Sequence, residues 1–118
     1  MRNSPDFVAH VIETMRPARA VAKAMFGGHG VYVDGLFVAI VVDDVLYLKC
    51  DAKTRGAFDA LDLPHFVYKA KDGREMVMKY RRAPDEALES GAEMQRWLRL
   101  ALAAALAKPQ RARQRPRV

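Results

Sequence analysis

The sequence has a single cysteine, Cys50, which excludes an intrachain disulfide and a multi-cysteine zinc site. Such sparing use fits a reducing cytoplasm. Long apolar runs are also missing. Residues 36–42 and 100–107 are the longest strongly apolar stretches, far short of the ~20 residues a membrane-spanning helix needs. The opening MRNSPDF has no basic stretch leading into an apolar core, so no secretory signal is read. There is no internal repeat. These absences predict a cytoplasmic chain with no membrane partner.

What is present is the composition of one ordinary globular domain: 118 residues, 51% hydrophobic and 29% charged. At this length a chain buries about two-thirds of its unfolded surface. Twenty basic residues against fourteen acidic ones leave a net charge of +6. The C-terminal stretch KPQRARQRPRV holds five of those basic residues (Lys108, Arg111, Arg113, Arg115 and Arg117) and no acid, so residues 1–107 carry only +1. The division predicted is a domain over 1–107 and a basic, disordered tail over 108–118.

Ser4 before Pro5 marks a helix start: a hydroxyl cap, then a proline where no amide donor is needed. Phe7, Val8, Val11, Ile12 and Met15 recur on one face, and Pro17 ends the helix. Residues 20–26 have helical propensity, but the glycines that follow favour a first strand. Val31-Tyr32-Val33, the Asp34-Gly35 turn and residues 36–42 read as a hairpin. The second of these strands is apolar at nearly every position, which predicts cover on both faces or shielding by a partner.

Asp43-Asp44 turns the chain into residues 45–50. Asp51 caps a short helix with Ala57, Phe58 and Leu61 facing inward. Two more strands flank Asp72-Gly73. A helical segment begins at Ala83-Pro84-Asp85-Glu86, breaks near Gly91 and resumes over 92–107, with Met94, Trp97, Leu98, Ala101, Leu102 and Ala105 on one face. Leu100, Ala103, Ala104 and Leu106 make its end apolar all round. That pattern predicts packing against the first helix or, more sharply, a homodimer contact through this last helix. The fold class expected is a two-layer α+β sandwich, mainly antiparallel with helices on one face, in the order α-β(3–4)-α-β2-α.

Residues that could carry chemistry are few. Gly27-Gly28-His29-Gly30 suggests a phosphate loop, but it leads into a strand and no Gly-Lys-Ser/Thr follows. A tight turn or bulge that needs unusual backbone angles is the simpler reading. His10, His29 and His65 share no ligand spacing, and Cys50 at a strand end reads as a small buried apolar group. No catalytic, cofactor or metal site is expected.

Basic residues surround the second hairpin (Lys69, Lys71, Arg74, Lys79, Arg81 and Arg82), with Phe66, Tyr68 and Tyr80 interleaved. They offer nucleic-acid contacts through Lys79, Arg81 and Arg82. The favoured alternative is a lysine-protected sheet edge with the aromatics facing the core. Arg111, Arg113, Arg115 and Arg117 offer weak, salt-sensitive binding to RNA or DNA, or simply a solubilising terminus.

One combination goes further. Met25-Phe26-Gly27-Gly28-His29-Gly30-Val31-Tyr32-Val33-Asp34-Gly35, then Leu46-Tyr47-Leu48-Lys49, resemble the N-terminal domain of the TfoX/Sxy family of bacterial competence regulators. Pro64-His65-Phe66-Val67-Tyr68, Tyr80, Pro84-Asp85-Glu86 and Trp97 extend the resemblance, which covers about residues 8–107. It implies a two-layer α+β domain similar in architecture to small secretion-chaperone-like folds. It also implies a non-catalytic, transcription-related adaptor or coactivator that works through a protein partner. Full-length members act with the cyclic-AMP receptor protein to switch on DNA-uptake genes. They carry a second, helical domain where this sequence has its arginine-rich tail, so a stand-alone domain is expected.

Overall fold

The computed structural model describes residues 3–25 and 27–113, with side chains through Ala107. Phe26 and residues 114–118, Arg115 and Arg117 among them, lie outside the described residues, as does that part of the expected disordered tail.

Helix α1 (Pro5–Met15) starts where the cap predicts: the Ser4 hydroxyl accepts a hydrogen bond from the Phe7 amide. Four strands follow, β1 (Ala20–Met25), β2 (Gly28–Val33), β3 (Leu36–Val42) and β4 (Val45–Lys49). A short α2 (Arg55–Ala60) leads to the hairpin β5 (His65–Lys69) and β6 (Glu75–Arg82). The chain closes with α3 (Asp85–Glu89) and α4 (Gly91–Arg113). The strands form one antiparallel sheet in the order β1-β2-β3-β4-β6-β5. The α+β architecture expected from the sequence is the one observed.

The turns follow from local chemistry. Asp34 and Gly35 have φ of 51° and 82°, and Asp43 and Asp44 have 53° and 59°. Two consecutive left-handed residues make the hairpin turn whose twist matches the flanking strands, and aspartate tolerates that region better than most side chains. The N-terminus is pinned to this second turn. The Asn3 side chain donates to the Val41 carbonyl and accepts from the Asp44 amide, while the Ser4 amide donates to the Asp44 carboxylate.

The core lies between the helices and one sheet face. Val11 and Met15 of α1 and Met94, Trp97, Leu98, Ala101 and Ala105 of α4 pack on Val31, Val33, Val41, Leu46 and Leu48. Each fully buried side chain of valine or leucine size contributes about 1.5–3 kcal/mol.

Three expectations change. Leu61 does not face inward with Phe58; it stands half exposed, because the helix ends at Ala60 and the chain turns away. The glycine cluster is not a loop. Gly27 supplies the left-handed turn (φ 79°), but Gly28 and Gly30 sit inside β2, and the bulge falls on β3 instead. Finally, α4 is described to Arg113 rather than ending at Ala107, and its apolar end belongs to the fold: Ala104 is buried, and Leu100 and Leu102 are half buried against the core. Ala103, Leu106 and Ala107 of that stretch are left exposed, so a homodimer contact there would rest on a narrow strip.

Candidate functional site

Residues alternate across a strand, so the register fixes what the other sheet face carries. Opposite Ala39, Val31 and Leu48, which lie in the core, three rows cross the sheet. The first pairs Tyr32 with Phe37 and Lys49 with Tyr80. The second runs Lys23, Gly30, Ile40, Tyr47, Arg82. The third brings Met25 beside Gly28 and Val42 beside Val45. Among the described residues no helix covers these rows. They floor a groove of about 930 Å³, with Phe66 and Tyr68 of β5 and Met78 of β6 along its far wall.

The bulge and the glycines shape this face. The extra residue, Val38, lets it and Ala39 both enter the core while Phe37 and Ile40 point into the groove. This resolves the continuous apolar run of β3: one strand serves the core and the groove at once. At Gly30, an added Cβ would meet the Phe37 ring at 2.6 Å and the Met25 sulfur at 2.7 Å. The absence of a side chain there is what allows Phe37 and Met25 to lie down across β2.

The resulting aromatic strip falls into two groups. Ring centroids are 5.1 Å apart for Tyr32–Phe37 and 5.9 Å for Phe37–Tyr80, with Tyr47–Phe66 at 5.0 Å further along. Two ammonium groups rest on it: Lys23 Nζ lies 5.2 Å from the Tyr32 ring centre, and Lys49 Nζ lies 5.2 Å from Phe37 and 5.8 Å from Tyr80. Cation–π contacts of this kind contribute about 0.5–2 kcal/mol each. Phe66, Tyr68 and Tyr80 therefore do not face the helical core as the sheet-edge reading required; they line the opposite face.

Burial first, and the neighbouring Tyr32 phenol second, push the Tyr80 phenol up from its ordinary value to about 12. An unfolded chain would release this proton near pH 10. The folded state holds it, so stability is lost as pH rises from about 10 to 12. Ultraviolet titration of the four tyrosines is expected to show one ionising last, near pH 12, and Tyr80→Phe should remove that step.

The remaining sequence candidates fall into place. Of the family-motif residues, Met25, Gly28, Gly30, Tyr47, Lys49, Phe66, Tyr68 and Tyr80 gather at the groove. Leu48 is core, Gly27 and Gly35 make turns, and Pro84 precedes α3 as its cap residue. Arg81 is turned inward, away from the exposed surface that the nucleic-acid reading called for. Only 5% exposed, it donates to the Asp59 carboxylate and the Leu63 carbonyl, both at 2.8 Å. Arg82, on the opposite side, is exposed and 3.9 Å from Asp85, while Lys79 is exposed beside α4.

Cys50 is buried, and that burial pushes its thiol up, away from the reactive thiolate. His29 Nδ1 accepts from the Asn3 side-chain amide, and His10 Nε2 donates to the Leu88 carbonyl. Phe37, Ile40, Val42, Val45 and Met78 were not singled out by sequence, and Tyr32 was read only as part of a strand and of the family resemblance. The apolar run 36–42 and the Asp-Gly turn that sets Tyr32 opposite Phe37 were the signals that could have found them.

No curated relative matches the chain. The family model of the TfoX N-terminal domain matches residues 14–105, and the chain belongs to that family.

Proposed function

We propose that this TfoX N-terminal domain is a non-catalytic interaction module, a transcription-related adaptor that holds an apolar, acid-bearing segment of a partner protein in the groove. The single observation behind this is the uncovered, aromatic-floored sheet face opposite the helices. Ile40, Val42, Val45 and Met78 give the segment an apolar bed, and a bed of this volume suits a few side chains in sequence. Charge selects among segments. Among the described lining residues Lys69 and Asp43 balance, and the excess comes from Lys23 and Lys49 on the aromatic strip beside them. Carboxylates on the partner would complement that excess and speed its approach.

A photo-crosslinking residue at position 68, in the groove wall, tests this against one at position 99, exposed on α4. Position 68 should give an adduct that maps to an apolar, acidic segment of another protein, and Ile40→Asp should abolish it. Equal yield from position 99, or turnover of a substrate by the purified domain, would overturn the reading. So would an adduct to a second copy of the chain, since self-association through the groove would then replace the partner. The helical route to a dimer is read in parallel by sedimentation of Leu106→Glu.

A further inference from the structure

Strand β5 has an open edge, and the fold leaves it bare. It is the last strand of the sheet and pairs only with β6 among the described residues. Bonded and non-bonded residue pairs alternate along an antiparallel ladder. The Ala70 amide donates to the Arg74 carbonyl, so Tyr68 with Met76 is the next bonded pair. The pairs Lys69–Glu75 and Val67–Val77 are then not bonded across the hairpin. Val67 and Lys69 therefore turn their amides and carbonyls to the open edge. At the start of the strand the Arg82 amide bonds the Pro64 carbonyl, which turns His65, opposite Arg81, outward in the same way. Among the described residues no hydrogen bond reaches these outward groups.

The side chains suit an incoming strand. Sheet edges are commonly blunted by proline, by a charge within the strand or by a covering element. β5 has no proline and its one lysine stands at the end, whereas Val67 and Tyr68 are 45% and 44% exposed. With Met76 and Val77 of β6 they make up four of the seven large apolar side chains left exposed among the described residues. Successive side chains of a strand point to opposite faces, yet all five residues of β5 line the groove. The groove thus opens along the edge of the strand as well as across its face. β1, at the opposite edge of the sheet, has Lys23 within the strand and gives only Met25 to the groove.

We propose that the groove's partner binds by adding a strand to β5, as an extended segment that alternates apolar and acidic residues. This rests on the groove reading above and states how the segment is held. Its backbone completes the ladder at His65, Val67 and Lys69, its apolar residues lie beside Phe66 and Tyr68 on the groove face, and its acids face Lys69 on the other. Charge favours such a segment over a second copy of this chain. Residues 65–80 carry Lys69, Lys71, Arg74 and Lys79 against Asp72 and Glu75, the latter opposite Lys69. Two copies paired edge to edge would set one cationic hairpin against another.

Fluorescence anisotropy with a labelled short peptide that alternates valine and glutamate, on the full chain at low salt, tests this. N-methylating one alternate set of its amides should abolish binding and methylating the other set should leave it, because only one edge of the peptide meets β5. Exchange of the Val67 and Lys69 amides, followed by NMR, should slow when the peptide is added. Val67→Pro removes an outward amide and keeps the bonds to β6. It should weaken binding about tenfold with the melting temperature unchanged. The methylation and exchange measurements use the parent chain and do not depend on how that variant folds.

Equal binding of both methylated peptides, or slowed exchange along β1 instead, overturns strand addition at β5 even where position 68 still gives its partner adduct. Failure of the peptide to bind overturns it too, and loss of the position-68 adduct as well removes the groove reading beneath it. A dimer of the chain that Val67→Pro dissolves would assign the edge to a second copy and overturn the proposal.

Discussion

Gly28→Ala is expected to destabilise the domain by about 3 kcal/mol and to lower its melting temperature by roughly 12 °C. The added Cβ would lie 2.5 Å from the Val41 carbonyl oxygen and 3.2 Å from Val42 Cγ2. The first of these is backbone in the central strand, so no rotamer change relieves it. Either β2 moves away from β3, losing the pairing that runs from His29 to Val33, or the carbonyl is pushed from its place. The Asn3 side chain donates to that same carbonyl, so the N-terminal pin would loosen as well.

Gly30→Ala is the informative contrast. There the atoms met belong to the Phe37 ring edge and the Met25 sulfur, both side-chain ends that can swing aside. Its cost should be about 1 kcal/mol, with the change showing in the groove's aromatic environment rather than in the melting curve. Thermal denaturation of both variants, with near-ultraviolet circular dichroism, separates them. Equal melting temperatures would mean that β2 and β3 are not as closely apposed as described.

These glycines show what could be read from sequence and what could not. The cap at Ser4, the Asp34-Gly35 and Asp43-Asp44 turns and the apolar stripe of α4 are local effects, carried by residues within a turn or two of each other. They were legible for that reason. The need for glycine at 28 and 30 was legible only as an oddity, because its cause, the Val41 carbonyl and the Phe37 ring, comes from another strand. The groove was half legible. An apolar run at 36–42 announced two covered faces, but only the bulge at Val38 decides which side chains go to which. Arg81 was misplaced for a similar reason: its neighbours Lys79 and Arg82 look alike in sequence, yet the pleat sends 81 inward to a carboxylate on α2 and 82 outward.

Phe58→Ala is expected to cost about 4 kcal/mol, because a six-residue helix has little else to hold it. Phe58 is the one fully buried side chain of α2, and it meets the Trp97 ring edge-on at 5.1 Å. On its other side the Arg81 guanidinium lies 5.8 Å from the ring centre. Removing the ring leaves a cavity under the helix and frees Asp59, the next residue, from a defined position.

The loss then spreads to Arg81, whose buried charge depends on Asp59 for its carboxylate partner. A double-mutant cycle of Phe58→Ala with Arg81→Met should accordingly show a coupling of about 1 kcal/mol or more, the value typical of residues in contact. Additivity would show that α2 keeps its place without the ring.

Acid gives an independent reading of the same linkage. The Arg81 hydrogen bond holds the Asp59 carboxyl below its ordinary 3.8. A depressed folded value adds stability above the unfolded value, and that stability is lost as pH falls below about 4 toward the folded one. Urea midpoints for the parent and for Phe58→Ala should therefore draw closer as the pH is lowered through that window. Once α2 is undocked, Asp59 keeps only its exposed pair with Arg55 on the same helix, which contributes little in water.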